Sequence, residues 1–574
     1  MDCPRRVVPF LLLAAPLFAA TVPRAEHPQP QFVRDHWLSL NGEWQFSFNT
    51  PKYDRKIVVP YCPESKLSGI ADTAFHPVVW YRRSISVPWK TGRTMLRFGA
   101  VDYRAKVWVN DKMAGEHEGG NVPFAFDVTA LLKPTGNVIT LRAEDPPTDR
   151  SIPRGKQYWE PKSKSIFYTR TTGIWQPVWL EEVGEAHLKT VRATPHADGT
   201  VELEPVIEGA SDGLEFTATL ADGTAAVKNV LKPANPHWWS VEDPFLYDVT
   251  YELRRGGVVV DRVKSYFGLR TVEVKNGRVN INGKPIYLKM VLDQGYWPES
   301  ILTPPTDEAI QYDIRMTKAM GFNGARKHQK LEDPRFLYWA DKMGLLVSSE
   351  MANAYVFTPE YVARFTREWI EAMERDYSHP SVIMWVPINE SWGMPNPKDP
   401  RQVEHLRAMY ALAKSLDASR PVIDNDGWEH ADQTDLFAIH DYTGKGEDLY
   451  ARYKDVKAGT PGAKIPKNHK EALLPGYAYN GTPIYLSEFG GVAWILPGSL
   501  VPSDAWGYQG VEKSPEAVLA RLHGIYEAIA KLPFAGICYT QLTDVEQEIN
   551  GLMSYDRKMK YKAEDIKALN DLLQ

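Results

Sequence analysis

The pattern of apolar residues changes near Gly277, and this change limits the possible folds more than any other feature of the chain. Before it, short runs alternate apolar and polar residues, as in Gly42–Phe48. After it, apolar strand-like runs alternate with segments of helical period. That order predicts repeated βα units around a parallel sheet. The chain therefore combines an all-β part with an α/β part.

Strand-like runs and helix start signals alternate in the α/β part. Thr358 can cap a helix that Pro359 begins, and Ser514 with Pro515 repeats this pattern. Eight strands within about 300 residues is typical of a TIM barrel. An open nucleotide-binding sheet would need a glycine-rich phosphate turn after an early strand, and the sequence has none. The eight predicted strands are residues 285–292, 323–327, 345–349, 383–388, 421–424, 436–440, 483–486 and 534–540.

Two all-β regions precede the predicted barrel. Alternating runs and turn residues over residues 37–182 predict a β-sandwich. Residues 184–274 have the length of one immunoglobulin-like sandwich, without the disulfide of antibody domains. We expect a signal peptide at 1–25 and domains at 26–183, 184–274 and 275–574.

The charge and cysteine content exclude several classes of function. A formal net charge of -5 is small for 574 residues, so nothing favours binding to nucleic acid or to an anionic membrane. Cys62 and Cys538 lie far apart and form no disulfide framework or metal motif. Aromatic residues make up 11% of the chain, which suits sugar-binding faces and large β-rich cores equally.

The first 25 residues have the features of an export signal. Arg5 and Arg6 precede an apolar stretch at 7–20, and Ala19 and Ala20 offer cleavage sites. The stretch is short for a membrane span, and a lone N-terminal anchor is the alternative. We expect an exported protein, periplasmic or extracellular.

Two glutamates directly follow predicted buried strands. Glu390 follows the fourth strand and Glu488 the seventh, and catalytic groups of TIM barrels lie at such strand ends. Retaining glycoside hydrolysis needs two carboxylates roughly 5–5.5 Å apart, one as acid/base and one as nucleophile. The alternative is that both are salt-bridged strand ends.

The segments around Glu390 and Glu488 resemble the catalytic motifs of glycoside hydrolase family 2. That family includes β-galactosidases, β-glucuronidases and β-mannosidases. The resemblance covers nearly the whole chain and implies a jelly-roll sandwich, an immunoglobulin-like sandwich and a (β/α)8 barrel. Further family-like segments are residues 172–181, 267–270, 291–298 and 333–336.

The resemblance also implies roles for individual residues. Glu390 is the expected acid/base and Glu488 the expected nucleophile. Asn389 would bind the sugar hydroxyl beside the anomeric carbon. Tyr442 would position the nucleophile, and Arg326 would hold it ionised.

Three more residues are weaker candidates for substrate binding. Asp293 and His328 lie at suitable strand ends, where a structural role is an equal alternative. Trp392 is expected either to stack on a sugar or to pack in the core.

The chain differs from its relatives at positions where the relatives bind the sugar or a metal ion. The Asn-x-Lys pair of family glucuronidases is absent from residues 548–553, and no Glu-x-His metal element follows the third strand. We therefore expect neither a metal nor a cofactor. The predicted activity is that of an exo-acting retaining β-glycosidase of β-galactosidase type. Arabinofuranosidase, galactofuranosidase, mannosidase, xylosidase and, less favoured, glucuronidase activity stay open.

The sequence leaves the class of function open in two other respects. The expected partner is an oligosaccharide or glycoside, but a non-catalytic carbohydrate-binding protein or a transglycosylase would share these residues. An oligomer is possible.

We also expect a raised pKa for Glu390, because an acid catalyst must be protonated near the working pH.

Overall fold

The computed structural model describes residues 22–499 and 501–574. The predicted export signal, residues 1–25, lies outside these residues except for its last four. The described chain forms two β-sandwiches followed by a barrel of parallel strands, so the predicted fold class is confirmed.

The first domain is a sandwich of two antiparallel sheets. Along Asn137–Glu144, buried residues alternate with partly exposed ones, so one face of each strand enters the shared core. One sheet has the order Trp37–Ser39, Val178–Val183, Arg93–Phe98, Phe124–Asp127. The other has the order Arg55–Val59, Gly42–Phe48, Val78–Ile85, Asn137–Glu144, Arg104–Val109, Lys112–Glu118. Val101–Asp102 pairs with Gly173–Ile174 beside them, and a short 3-10 helix covers Thr129–Leu131.

The second domain is a smaller sandwich of two three-stranded antiparallel sheets. Its core contains the inward residues of both sheets, including Leu203, Val249 and Leu253. The sheets have the orders His187–Pro195, Val201–Glu208, Val230–Leu231 and Leu214–Leu220, Tyr247–Arg255, Val258–Phe267. A third small sheet, Val272–Lys275, Arg278–Ile281 and Lys284–Ile286, leads into the barrel and packs against its interior.

Seven parallel strands form the main sheet of the barrel. Each is buried along its length, which explains the continuous apolar runs of the sequence. In spatial order they are Val382–Val386, Leu346–Glu350, Gly324–Lys327, Leu288–Asp293, Phe534–Thr540, Ile484–Gly490 and Phe437–Asp441. The helices are Asp307–Ala319, Pro334–Met343, Pro359–Asp376, Pro400–Leu416, Gly446–Tyr453, Pro515–Ile529 and Ala563–Asn570.

The fifth barrel strand differs from the prediction at residues 421–424. Only Asn425–Asp426 is regular there, and it pairs with Ile388–Asn389. The N–H groups of Val422 and Asp424 donate to the side chains of Asp435 and Thr434, so they are not available to a neighbouring strand. The predicted residues still pair with the fourth strand, since the N–H of Ile423 donates to the carbonyl of Trp385 at 3.0 Å, and the regular pairing follows at Asn425–Asp426.

The predicted helix starts are confirmed. The Thr358 hydroxyl accepts a hydrogen bond from the N–H of Tyr361 at 3.1 Å, and Ser514 caps its helix in the same way. None of the described helices has both the length and the apolar character needed to cross a membrane. Val492–Ala493 and Tyr508–Val511 form a short parallel pair near the seventh strand.

Arg34 joins the two β domains. Its guanidinium is 3% exposed and donates at 2.9 Å to Glu181 of the first domain and to Asp261 of the second. It also donates to the carbonyl of Leu188. Such a buried group of charges stabilises the chain only while the cation and its carboxylates are all present. Removal of one member leaves a charge buried without that partner.

We expect Arg34→Ala to destabilise the chain by about 3–5 kcal/mol, since it leaves Asp261 buried without its cation and leaves Glu181 with Arg97 as its remaining arginine partner. The measurement is the thermal unfolding midpoint. Lys56→Ala is the matched control, because Lys56 pairs with Glu43 at the exposed surface, where such pairs contribute about 0–1 kcal/mol. Equal midpoints for the two variants would contradict the assignment.

Candidate active site

The two predicted catalytic glutamates lie close together at the mouth of the barrel. Glu390 directly follows Ile388–Asn389, and Glu488 lies within Ile484–Gly490. Glu390 has a left-handed backbone with φ of 52°, and its N–H donates to the carbonyl of Asp426 at 2.9 Å. One carboxylate oxygen of each glutamate and a ring nitrogen of His440 lie within 4.8 Å of one another.

Arg326 is the central cation of the site and is completely buried. Its guanidinium donates to Glu488 at 2.9 Å, to Glu350 at 2.7 Å and to the Asn389 side-chain oxygen at 2.6 Å. Burial alone would lower the pKa of Arg326, but Asp426, Glu350 and Glu488 raise it well above its usual value. Arg326 therefore stays charged and places a permanent positive charge against the Glu488 carboxylate.

Tyr442 and Asn389 complete the surroundings of Glu488. The Tyr442 hydroxyl donates to the second oxygen of Glu488 at 2.5 Å, and its ring stacks on Tyr508 at 3.6 Å between centroids. The Asn389 side-chain oxygen is held by Arg326, so its amide nitrogen is oriented. That nitrogen is buried and has no partner among the described residues. It is a free donor beside the two glutamates.

His440 and Asp426 are functional residues that the sequence interpretation missed. His440 lies 2.9 Å from Glu390 through Nδ1 and 2.8 Å from Asp426 through Nε2. Nε2 is also 3.5 Å from Glu488. Burial would lower the pKa of His440, but Glu488, Asp426 and Glu390 raise it to about 10. The available signal was position, because both residues lie at barrel strand ends.

The predicted raised pKa of Glu390 is wrong for the free protein. Burial raises it, but the hydrogen bond and the charge of His440 outweigh burial, and the pKa of Glu390 falls below its usual value. A protonated imidazole lies directly against the carboxylate, which the sequence pattern did not reveal. The proton needed for acid catalysis is therefore held by the Glu390–His440 pair.

Asp293 and His328 do not contact either glutamate directly. Asp293 forms a buried ion pair with Lys327 at 2.5 Å and accepts from the N–H of Gly295. His328 is buried with Nδ1 3.0 Å from Glu350. Burial lowers its pKa well below the usual value, with Lys156 and Arg326 adding to the effect. Their predicted role in substrate binding stays a prediction.

Trp392 is half-buried and lies beside the acid/base candidate. Its N–H donates to the carbonyl of Asn389 at 2.9 Å. Its ring packs at 4.9 Å from Tyr355 and at 5.5 Å from Phe167, which comes from the first domain. The ring is therefore part of an aromatic surface rather than of the barrel core.

Metal binding is possible in principle at Glu390, His440 and Glu488, since their ligand atoms lie close enough. Each of these atoms already has a protein partner. His440 uses both ring nitrogens, and Glu488 accepts from Arg326 and Tyr442. A cation there would have to displace these bonds and would sit beside Arg326, so the site is better suited to proton transfer.

Three models of one protein family match the chain in the order of its domains. "Glycosyl hydrolases family 2, sugar binding domain" matches residues 39–144, and "Glycosyl hydrolases family 2" matches 181–270. "Glycosyl hydrolases family 2, TIM barrel domain" matches residues 272–501. The chain belongs to glycoside hydrolase family 2, as the resemblance predicted.

The proteins with similar sequences include both β-galactosidases and β-glucuronidases. A β-galactosidase of Thermoanaerobacter pseudethanolicus is 26% identical over 477 residues, which are 77% of this chain and 60% of that protein. The β-glucuronidase of Canis lupus familiaris is 26% identical over 420 residues, 63% of this chain and 62% of that protein. The chain thus spans less than two thirds of these relatives.

Solved structures share the whole fold. The β-D-glucuronidase of Dictyoglomus thermophilum has a TM-score of 0.77 at 22% identity and covers 95% of this chain and 99% of its own. A β-galacturonidase of Eisenbergiella tayi bound to galacturonate has a TM-score of 0.73 at 20% identity, covering 96% and 99%. At 20–22% identity, these structural similarities establish the fold alone.

We expect His440→Asn to move the basic limb of kcat/KM downwards by roughly two or more pH units. In the native protein the pair keeps its proton until the pH passes about 10, the pKa of His440. Without the imidazole only a carboxyl remains, and such groups titrate near pH 4–7. The measurement is a pH–rate profile under subsaturating substrate.

Tyr442→Phe is the control for this experiment. It removes a hydrogen bond to Glu488 and leaves the Glu390–His440 pair intact. We expect it to reduce kcat/KM without a downward shift of the basic limb. A basic limb that is the same in His440→Asn and in the native protein would rule out a shared proton.

Proposed function

We propose that the chain is a retaining exo-β-glycosidase with Glu390 as acid/base and Glu488 as nucleophile. The observation that carries the proposal is the approach of the two carboxylates within 4.8 Å, each with a different set of partners. A short separation suits direct attack on the sugar, whereas inverting enzymes need about 6.5–9.5 Å for a water molecule. The mostly buried carboxylates favour a terminal sugar over an internal one.

In the first step Glu488 attacks the anomeric carbon while Glu390 protonates the leaving oxygen. Arg326 and Tyr442 each bind one oxygen of Glu488, which fixes the direction of its carboxylate. The bond between the anomeric carbon and the leaving oxygen breaks as the Glu488 ester forms. The partnerless amide of Asn389 is a suitable donor to the adjacent sugar hydroxyl, a contact that strengthens in the transition state.

His440 supplies the proton that Glu390 delivers. Its Nδ1–H lies 2.9 Å from the Glu390 carboxylate, and Asp426 holds the other ring nitrogen at 2.8 Å. Formation of the glycosyl ester also removes the negative charge of Glu488, the largest influence that raises the pKa of His440. In the second step ionised Glu390 takes a proton from water, which attacks the ester and releases the sugar.

For the sugar, we propose a neutral β-linked glycoside of galactoside type. The residues at 548–553 support this choice, because Asn550 donates to Glu548 and no lysine follows it. A second candidate is a β-glucuronide, favoured by the names of several relatives and of the structurally similar proteins. Arabinofuranosides, galactofuranosides, mannosides and xylosides belong in the same test.

Export to the periplasm or the medium is part of the proposal. Arg24 supports cleavage near Ala20, since its buried guanidinium lies 3.2 Å from Asp333 and donates to the carbonyl of Pro304. A cut after residue 25 would remove these contacts. Assembly into an oligomer stays a prediction.

We expect azide to rescue the two glutamate variants with opposite stereochemistry. In Glu488→Ala, azide replaces the missing nucleophile, attacks a substrate with a good leaving group and gives the α-glycosyl azide. In Glu390→Ala, azide attacks the glycosyl ester from the other face and gives the β-glycosyl azide. Product anomers are read by NMR. The same anomer from both variants would contradict the assigned roles.

We expect a nitrophenyl glycoside panel to give the highest kcat/KM for the β-galactoside. The panel also holds the β-glucuronide, β-mannoside, β-xyloside and α-L-arabinofuranoside. Turnover should fall by about 10³-fold or more in Glu488→Ala, which lacks the covalent step. Preference for the glucuronide would replace the sugar assignment. Binding without turnover across the panel would favour a carbohydrate-binding protein instead.

A further inference from the structure

A loop of the first domain reaches the barrel mouth beside Glu390. The N–H groups of Arg154 and Gly155 donate to the carbonyl of Asn353 at 3.2 and 3.0 Å. From the other side, the Gln547 amide donates to the carbonyls of Ser165 and Phe167 at 2.6 and 3.0 Å. The loop is thus fixed to two barrel loops, and the residues between these anchors have defined positions at the site.

The loop and the barrel together form an aromatic surface. Its members are half-buried, so each leaves part of a ring open. Trp159 lies 4.5 Å from Tyr355, Tyr355 lies 4.9 Å from Trp392, and Phe167 lies 5.5 Å from Trp392, between ring centroids. Tyr158 stacks on Phe167 at 5.2 Å. Such surfaces bind the apolar faces of sugar or phenyl rings.

Two cations of the same loop lie on this surface. The Lys156 ammonium is 4.9 Å from the centroid of Trp392, and the Arg150 guanidinium is 4.7 Å from that of Trp159. Lys156 is only 6% exposed, yet within the described residues no carboxylate approaches its ammonium to 4.0 Å. The nearby Glu548 is already bound by Tyr168 at 2.6 Å and by Asn550 at 3.1 Å. The Lys156 ammonium is therefore a cation that no carboxylate of the described residues neutralises, and it is available to pair with the negative charge of a ligand.

The position of the surface identifies the part of the substrate that it faces. Trp392 lies two residues after Glu390, and the Lys156 charge acts on the Glu390 carboxylate. An acid/base group protonates the leaving oxygen, so the leaving group must lie on its side of the sugar. The surface, which contains Trp392, is therefore next to the leaving group.

We propose that this surface is a leaving-group subsite for a ring that carries a negative charge, a carboxylate or a sulfate. The ring packs on Trp392, and the charge pairs with Lys156, with Arg150 as the outer cation. This inference rests on the proposed glycosidase function, and it names the class of aglycone that the enzyme accepts.

The test compares glycosides that share the preferred sugar and differ in the leaving group. These are the methyl, phenyl, 3-carboxyphenyl and 3-sulfophenyl glycosides, assayed by kcat/KM at low salt. Because Glu390 serves every substrate, changes in its pKa cancel in the ratios between the three aryl glycosides. The methyl glycoside has no ring in the leaving group and shows what the ring contact contributes. The 3-carboxyphenyl and 3-sulfophenyl glycosides show whether the surface prefers a carboxylate or a sulfate.

In the native protein we expect an acidic aryl glycoside to exceed the phenyl glycoside by about tenfold, the effect of one charge-assisted contact. Lys156→Met should abolish this preference. Lys162→Met, an exposed lysine of the same loop, should leave it in place. Trp392→Ala should reduce the ratio of aryl to methyl glycoside kcat/KM by about fivefold. Trp392→Phe should restore most of the loss.

The outcomes separate this inference from the proposed function. Turnover with equal kcat/KM for phenyl and acidic aryl glycosides would overturn the charged subsite and leave the glycosidase standing. So would an acidic preference that Lys156→Met does not change. Absence of turnover with all four glycosides and with the sugar panel would overturn the proposed function itself.

Discussion

The site depends on one buried guanidinium, that of Arg326. It bonds to groups from the third, fourth and seventh barrel strands and lies 3.5 Å from Asp426 of the fifth. A cation with no exposure is tolerable only when such partners surround it. Because these partners include Glu488 and Asn389, the requirement that stabilises Arg326 also fixes the proposed nucleophile and the proposed amide donor. Folding and catalytic geometry therefore have the same cause here.

A second cation gives the two glutamates their different properties. Glu488 has a permanently charged partner in Arg326, whereas Glu390 faces His440, which can release its proton. Two chemically identical carboxylates thus differ through their neighbours: one is paired with a permanent cation, and the other contacts an imidazole that carries a transferable proton. Asp426 completes the set, since it contacts both cations and orients the imidazole. The asymmetry of the mechanism follows from this charge arrangement.

The sequence predicted the barrel and the two glutamates because both depend on local pattern. Buried parallel strands are apolar runs, and catalytic groups follow them directly. The charge state of Glu390 was not predictable, since His440 belongs to a strand fifty residues later and its contact is purely spatial. The fifth strand is less regular than predicted because side chains of Asp435 and Thr434 bind two of its N–H groups. Lys156 was missed because it belongs to another domain.

The loop that carries Lys156 divides recognition between two domains. The barrel holds both proposed catalytic glutamates, and the first domain supplies much of the surface beyond Glu390. Mutations in that loop can therefore alter which molecule is released while the machinery that cleaves the bond stays unchanged. A lineage that keeps this barrel and exchanges the loop could explore new natural substrates without passing through an inactive ancestor.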